Sequence, residues 1–144
     1  NTFGYCILYK FLIPSKYKAN SLMKILLIDD DEALMTVFST AFKKNGLDTV
    51  TANNGKSGID KAKSENPNLI LLDQILPDIS GNEILKTLKA DSATQNIPVL
   101  VLSNFSQEEL VKEAINNGAK DYVFKYQVEP LDLVNKIKST LKIV

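Results

Sequence analysis

Three aliphatic runs constrain this chain more than any other feature: "KILLID" (24–29), "LILLD" (69–73) and "VLVLS" (99–103). None alternates with polar residues, so each reads as a strand covered on both faces, as in a parallel sheet. "DTVTA" (48–52) and "DYVFK" (121–125) alternate more and read as strands nearer the sheet edges. Leu34, Val37, Phe38, Ala41 and Phe42 follow i, i+3, i+4, i+7, i+8 spacing. That puts one apolar stripe on a helix that ends at the "NG" of 45–46. The same pattern predicts helices over 55–65, 82–90, 107–117 and 130–141. The fourth helix carries Leu110, Val111, Ala114 and Ile115, and the fifth Val134, Ile137 and Leu141. Strict alternation of strand and helix argues for right-handed βαβ units and a doubly wound parallel α/β sheet with helices on both faces.

In that architecture ligands sit at the carboxyl ends of the strands. Asp29, Asp30 and Asp31 follow the first strand, Asp73 ends the third, Ser103 the fourth and Lys125 the fifth. All should converge on one edge. Carboxylates held about 5 Å apart repel by roughly 3 kcal/mol per pair at an effective dielectric near 20, so something must offset them. Mg²⁺ suits hard oxygen ligands and is held by one or two carboxylates, with phosphate oxygens and waters completing its shell. One carboxylate can then act as nucleophile toward a phosphoryl group, while Ser103 donates a hydrogen bond to it and Lys125 pairs with it. Those parts make a phosphate-accepting aspartate.

Composition narrows the alternatives. The chain has no histidine, which removes imidazole metal ligands, an imidazole base and a phosphate-carrying histidine of its own. Its 17 Lys and Arg balance 17 Asp and Glu, so no net field favours nucleic acid or an anionic membrane. Direct nucleic-acid binding is not expected. Cys6 is the only cysteine, which fits a reducing, cytoplasmic setting and excludes an intrachain disulfide. At 144 residues the chain suits one globular domain.

Residues 1–22 stand outside the alternation and read as an N-terminal extension to a domain over 23–144. "FGYCILYKFLI" (3–13) is apolar but too short to span a bilayer, which takes about 20 residues. Lys16 and Lys18 follow that run, the wrong side for a signal peptide. The extension is either dispensable, with Met23 as a natural start, or a partner-binding or membrane-proximal element.

From Met23 to Leu141 the chain resembles the receiver domain of two-component response regulators, the CheY-like fold. The resemblance rests on "LLIDDDEAL" (26–34), "LILLDQILPDISG" (69–81), "VLVLSN" (99–104) and "GAKDYVFK" (118–125), in order and at the family's separations. It implies a (βα)5 three-layer sandwich, flavodoxin-like, with a five-stranded parallel sheet in strand order 2-1-3-4-5. It further implies that Asp73 is phosphorylated and that Asp30 and Asp73 bind Mg²⁺ directly. Asp29 would act through water, and the backbone carbonyl of Ile75 would complete the protein ligands. Ser103 and Lys125 would contact the phosphoryl group, with Ser103 and Tyr122 as the switch pair. The switched surface would be the face of the fourth helix, fifth strand and fifth helix. The donor would be a histidine kinase or phosphotransfer protein, and the reader a downstream effector or a second, phosphorylated copy of the chain. The chain would be a phosphoacceptor regulator, not an enzyme with an external substrate. With the fifth helix near the C-terminus, output is expected through another protein.

Tyr126 departs from the family pattern, which has proline after the lysine, and so the loop there is expected to be trans or reshaped. Asn104, Ile75 and Phe105 flank the expected site with bulk and are expected to slow loss of the phosphoryl group. Singly, these residues have plainer readings. Asp30 or Asp31 suits a helix cap, Asp73 a turn, and Ser103 a loop start before a Ser106 cap; Lys125 suits a solvated strand end and Tyr122 ordinary packing. Their joint placement at strand ends favours the site. Among rivals, a haloacid dehalogenase-type phosphotransferase would use Asp29 and Asp31 as its DxD, but Ala33 stands where it needs Thr or Val. A flavin binder fails because carboxylates occupy its phosphate loop. A degenerate receiver serving as a constitutive interaction module is the remaining alternative, opposed by the intact acidic set.

Overall fold

The computed structural model describes residues 22–143. The extension lies, Leu22 apart, outside the described residues. Five strands, β1 (Met23–Ile28), β2 (Leu47–Ala52), β3 (Leu69–Asp73), β4 (Val99–Ser103) and β5 (Asp121–Phe124), alternate with five helices. The helices are α1 (Glu32–Lys44), α2 (Gly55–Glu65), α3 (Gly81–Ala90), α4 (Glu108–Asn116) and α5 (Pro130–Leu141). All strand pairs are parallel, in the order β2-β1-β3-β4-β5. The expected fold class and strand order are both found.

Pleating divides the aliphatic runs between two cores. Leu26, Ile28, Ile70, Leu72, Val99 and Val101 face Ala62 of α2, Ile84, Leu85 and Leu88 of α3, and Ala114 of α4. Ile25, Leu27, Leu69, Leu71, Leu100, Leu102 and Val123 face Met35, Phe38 and Phe42 of α1 and Leu133, Val134 and Ile137 of α5. Every residue of β3 and β4 is buried, which is why those strands show no polar alternation. The edge strands β2 and β5 keep exposed positions, as their mixed sequences require.

Helix ends follow local chemistry. Asp31 Oδ1 accepts from Leu34 N at 3.0 Å, Asn54 Oδ1 from Ser57 N at 2.8 Å, and Ser80 Oγ from Glu83 N at 3.2 Å. Pro130 opens α5, where its missing N–H costs nothing. The Ser106 cap is not formed: Gln107 holds the cap position of α4, without a side-chain hydrogen bond. The fourth stripe is also only partly realised. Ala114 is buried and Val111 packs partly buried against the same core, whereas Ile115 is 44% exposed.

Candidate functional site

Register alone brings the acidic residues together. Ile28 pairs with Leu72 between β1 and β3, so the next residues, Asp29 and Asp73, stand level at the strand ends. Asp29 shares its pleat direction with Ile25 and Leu27, Asp73 with Leu69 and Leu71, and Lys125 with Val123. Asp29, Asp73, Ser103 and Lys125 are all buried, while Asp30 is exposed. Carboxylate oxygens of Asp29, Asp30 and Asp73 lie within 4.8 Å of one another. Asp31 plays a different part. It caps α1, and its own N–H donates to Asp29 Oδ1 at 2.9 Å.

Lys125 supplies the only positive charge at this floor among the described residues. Its Nζ lies 2.8 Å from Asp29 Oδ2 and 3.3 Å from Asp73 Oδ2. The nearer contact serves Asp29, so Asp73 is the less compensated carboxylate. Burial and then the Asp29 charge push Asp73 up to about 6, with Lys125 pulling the other way. Burial draws the Lys125 ammonium down, but its hydrogen bond to Asp29 and the charges of Asp73 and Asp29 hold it above its ordinary range. The two directions agree once the charges are counted: one ammonium is shared by two buried carboxylates, with Asp30 close to both. The donor set is all oxygen, under-neutralised and clustered. It fits a hard divalent cation.

The remaining expected residues surround this floor. Ser103 Oγ is buried and accepts from Phe105 N at 3.0 Å, and its side chain also acts on the Tyr122 hydroxyl. Ile75 N lies 3.5 Å from Asp73 Oδ1, and the Ile75 side chain is exposed. Asp30, Asp31, Asp73, Ile75, Ser103, Asn104, Phe105, Lys125 and Tyr126 line one cleft of about 330 Å³. A larger polar groove of about 530 Å³ between α1 and α2 contains none of these residues.

Tyr122 points inward. Its hydroxyl lies 2.6 Å from Gln74 Oε1 and 3.0 Å from the Phe105 carbonyl, and it can donate to one of them at a time. Burial pushes that hydroxyl above its ordinary value.

Three contributors, Gln74, Asp78 and Gly81, escaped the reading of the sequence, as did the contact that Tyr126 makes. Gln74 holds Tyr122; Tyr126 hydroxyl donates to Asp31 Oδ2 at 3.1 Å; Asp78 accepts from Gly55 N at 2.7 Å and Lys56 N at 3.0 Å, tying the β3–α3 loop to α2. Gly81 donates to the Gln74 carbonyl at 2.8 Å and passes so close to the end of β3 that a Cβ there would lie 2.8 Å from the Asp73 carbonyl. The last was signalled by the Gly of "DISG". The others carry no local signal. No cis peptide bond occurs among the described residues, as the Tyr126 substitution led us to expect.

The fold and site define a class of protein, and the comparisons agree with it. The response regulator receiver domain family matches residues 25–138. The alkaline phosphatase synthesis transcriptional regulatory protein PhoP of Bacillus subtilis is 32% identical over 119 residues, covering 83% of this chain and 48% of that protein. The cell cycle transcriptional regulator CtrA of Caulobacter vibrioides is 37% identical over 103 residues, covering 72% of this chain and 44% of that protein. A CheY-like response regulator receiver domain structure from Methanospirillum hungatei superposes with a TM-score of 0.79 at 30% identity, covering 85% of this chain and 95% of that one. The chain belongs to the response regulator receiver domain family. It spans about half the length of the curated relatives it matches. Among the described residues, no helix is long and apolar enough to cross a membrane.

Proposed function

We propose that Asp73 is the phosphoacceptor, taking a phosphoryl group from a phosphohistidine on a partner kinase or phosphotransfer protein. The observation that carries this reading is the buried Asp29–Lys125–Asp73 cluster, in which Asp73 is the carboxylate with least compensation. A carboxyl group near 6 is about nine-tenths ionised at pH 7, so the nucleophile is available. An Asp73 oxygen forms the new bond to phosphorus as the bond from phosphorus to the donor nitrogen breaks, and that electron pair stays on the imidazole. The product is an acyl phosphate on Asp73. The Ser103 hydroxyl donates a hydrogen bond to one phosphoryl oxygen, and Lys125 leaves Asp73 to pair with another.

Asp30, Asp73 and the Ile75 carbonyl would hold Mg²⁺ directly and Asp29 through water; the ion supplies positive charge to the phosphoryl oxygens when bound. Ile75, Asn104 and Phe105 border the cleft and retard loss of the group, so Ile75→Asn or Phe105→Ala shortens its lifetime. Ser103 and Tyr122 relay the event to the face made by α4, β5 and α5, where an effector protein or a second phosphorylated copy reads it. Phe124 and Ile115 give that face exposed apolar surface. Chemistry ends at self-catalysed acceptance and release of the group. The lone Cys6 suits a cytoplasmic setting beside the kinase's catalytic domain.

A constitutive interaction module is the second reading, in which the inward Tyr122, held by Gln74 Oε1 at 2.6 Å, fixes one form of the face. One experiment separates the two. Incubation with a histidine-phosphorylated phosphotransfer protein and Mg²⁺, followed by borohydride reduction and tandem mass spectrometry, would locate the modification at Asp73 under the first reading and find none under the second.

A further inference from the structure

The cleft's fourth wall is an aromatic residue whose position core packing does not explain. Tyr126 is 66% exposed, yet its hydroxyl is tied to Asp31 Oδ2 at 3.1 Å, joining the β5–α5 loop to the β1–α1 loop across the mouth of the site. Lys125 Nζ lies 5.9 Å from the Tyr126 ring centroid, within the range of cation–π attraction. Two contacts thus fix a ring that would otherwise be free to rotate into solvent.

Hydrolysis of an aspartyl phosphate requires water on the side of phosphorus opposite the Asp73 oxygen. Asp73 is 6% exposed at the floor of the cleft, so that side is the mouth, bordered by Ile75, Phe105 and Tyr126. We propose that Tyr126 is a specificity-determining residue of this site: held by Asp31, its ring obstructs the in-line approach of water and lengthens the life of the phosphorylated state. In the step it retards, water oxygen bonds to phosphorus and the bond from phosphorus to Asp73 breaks. That electron pair returns to the carboxylate, the water gives up a proton, and inorganic phosphate leaves. The inference rests on the reading of Asp73 as acceptor.

The test phosphorylates wild type, Tyr126→Phe and Tyr126→Ala with phosphoramidate and Mg²⁺, removes the donor, and follows decay by intact mass. Tyr126→Ala is expected to lose the group about fivefold faster, which corresponds to about 1 kcal/mol in the barrier. Tyr126→Phe, which keeps the ring without the Asp31 bond, falls between. Mg²⁺ affinity, titrated on the same proteins, is expected to stay unchanged. Equal lifetimes for Tyr126→Ala and wild type overturn the inference while Asp73 stands as acceptor. Faster decay that tracks a loss of Mg²⁺ affinity assigns Tyr126 to supporting the acidic loop and also overturns it. Failure of all three proteins to gain a phosphoryl group removes the acceptor reading and this one together.

Discussion

Tyr122 hydroxyl and Gln74 Oε1 lie 2.6 Å apart, joining β5 to the residue that follows Asp73. A buried hydroxyl that loses its acceptor costs about 1–3 kcal/mol, reduced here because the Phe105 carbonyl stands 3.0 Å away as a substitute. We expect Gln74→Leu and Tyr122→Phe each to lower stability modestly and a double-mutant cycle in urea to give about 1 kcal/mol of coupling. Additive single effects would mean that the bond contributes nothing.

Asp73 imposes a pH dependence opposite to that of a paired carboxylate. Its folded-state value, about 6, lies above the ordinary 3.8, so its contribution favours the folded state fully below about pH 4 and is lost as pH rises through about 6. Without divalent cations at pH 7.5, Asp73→Asn is therefore expected to be more stable than wild type by about 1–2 kcal/mol, with the difference vanishing near pH 4. Urea midpoints across that range provide the check; a less stable variant at pH 7.5 would contradict the stated charge balance.

The same imbalance predicts stabilisation by Mg²⁺. With an affinity near 1 mM, 10 mM Mg²⁺ would stabilise the fold by about 1.4 kcal/mol. Thermal unfolding of wild type and of Asp30→Asn separates the site from general salt effects. The gain should shrink in the variant.

Gly81→Ala tests the close approach beneath the acceptor. The new methyl would meet the Gln74 Cα at 2.7 Å and the Asp73 carbonyl at 2.8 Å, both backbone atoms that cannot swing aside. Overpacking of this kind costs about 1–3 kcal/mol. Because the strain falls on the end of β3, phosphoryl acceptance should slow as well. A variant with unchanged stability and rate would show that the loop moves freely.

The elements legible from sequence were those written in local pattern. Both-face burial gave β3 and β4 their unbroken aliphatic runs, and the stripe from Leu34 to Phe42 marked α1, although Val37 of that stripe is exposed and Met35, outside it, is buried. Asp29, Asp73, Ser103 and Lys125 could be read because strand ends in a parallel sheet share one edge, and register then sets Asp29 level with Asp73. What escaped depends on distant pairs. Gln74 meets Tyr122 across 48 positions and Tyr126 meets Asp31 across 95, and neither spacing leaves a periodic trace. The α4 stripe misled for a related reason: periodicity marks an apolar face, but not how closely the sheet approaches it.

Phosphate acceptance by Asp73, in a site completed by Mg²⁺, is open to one decisive experiment. Intact-mass spectrometry after incubation with acetyl phosphate, with and without Mg²⁺, would be run on wild type and Asp73→Asn. Wild type with Mg²⁺ should gain one phosphoryl group, and neither the chelated protein nor the folded variant should gain any. A folded wild type that stays unmodified with Mg²⁺, or a variant that gains the group equally, would refute the assignment.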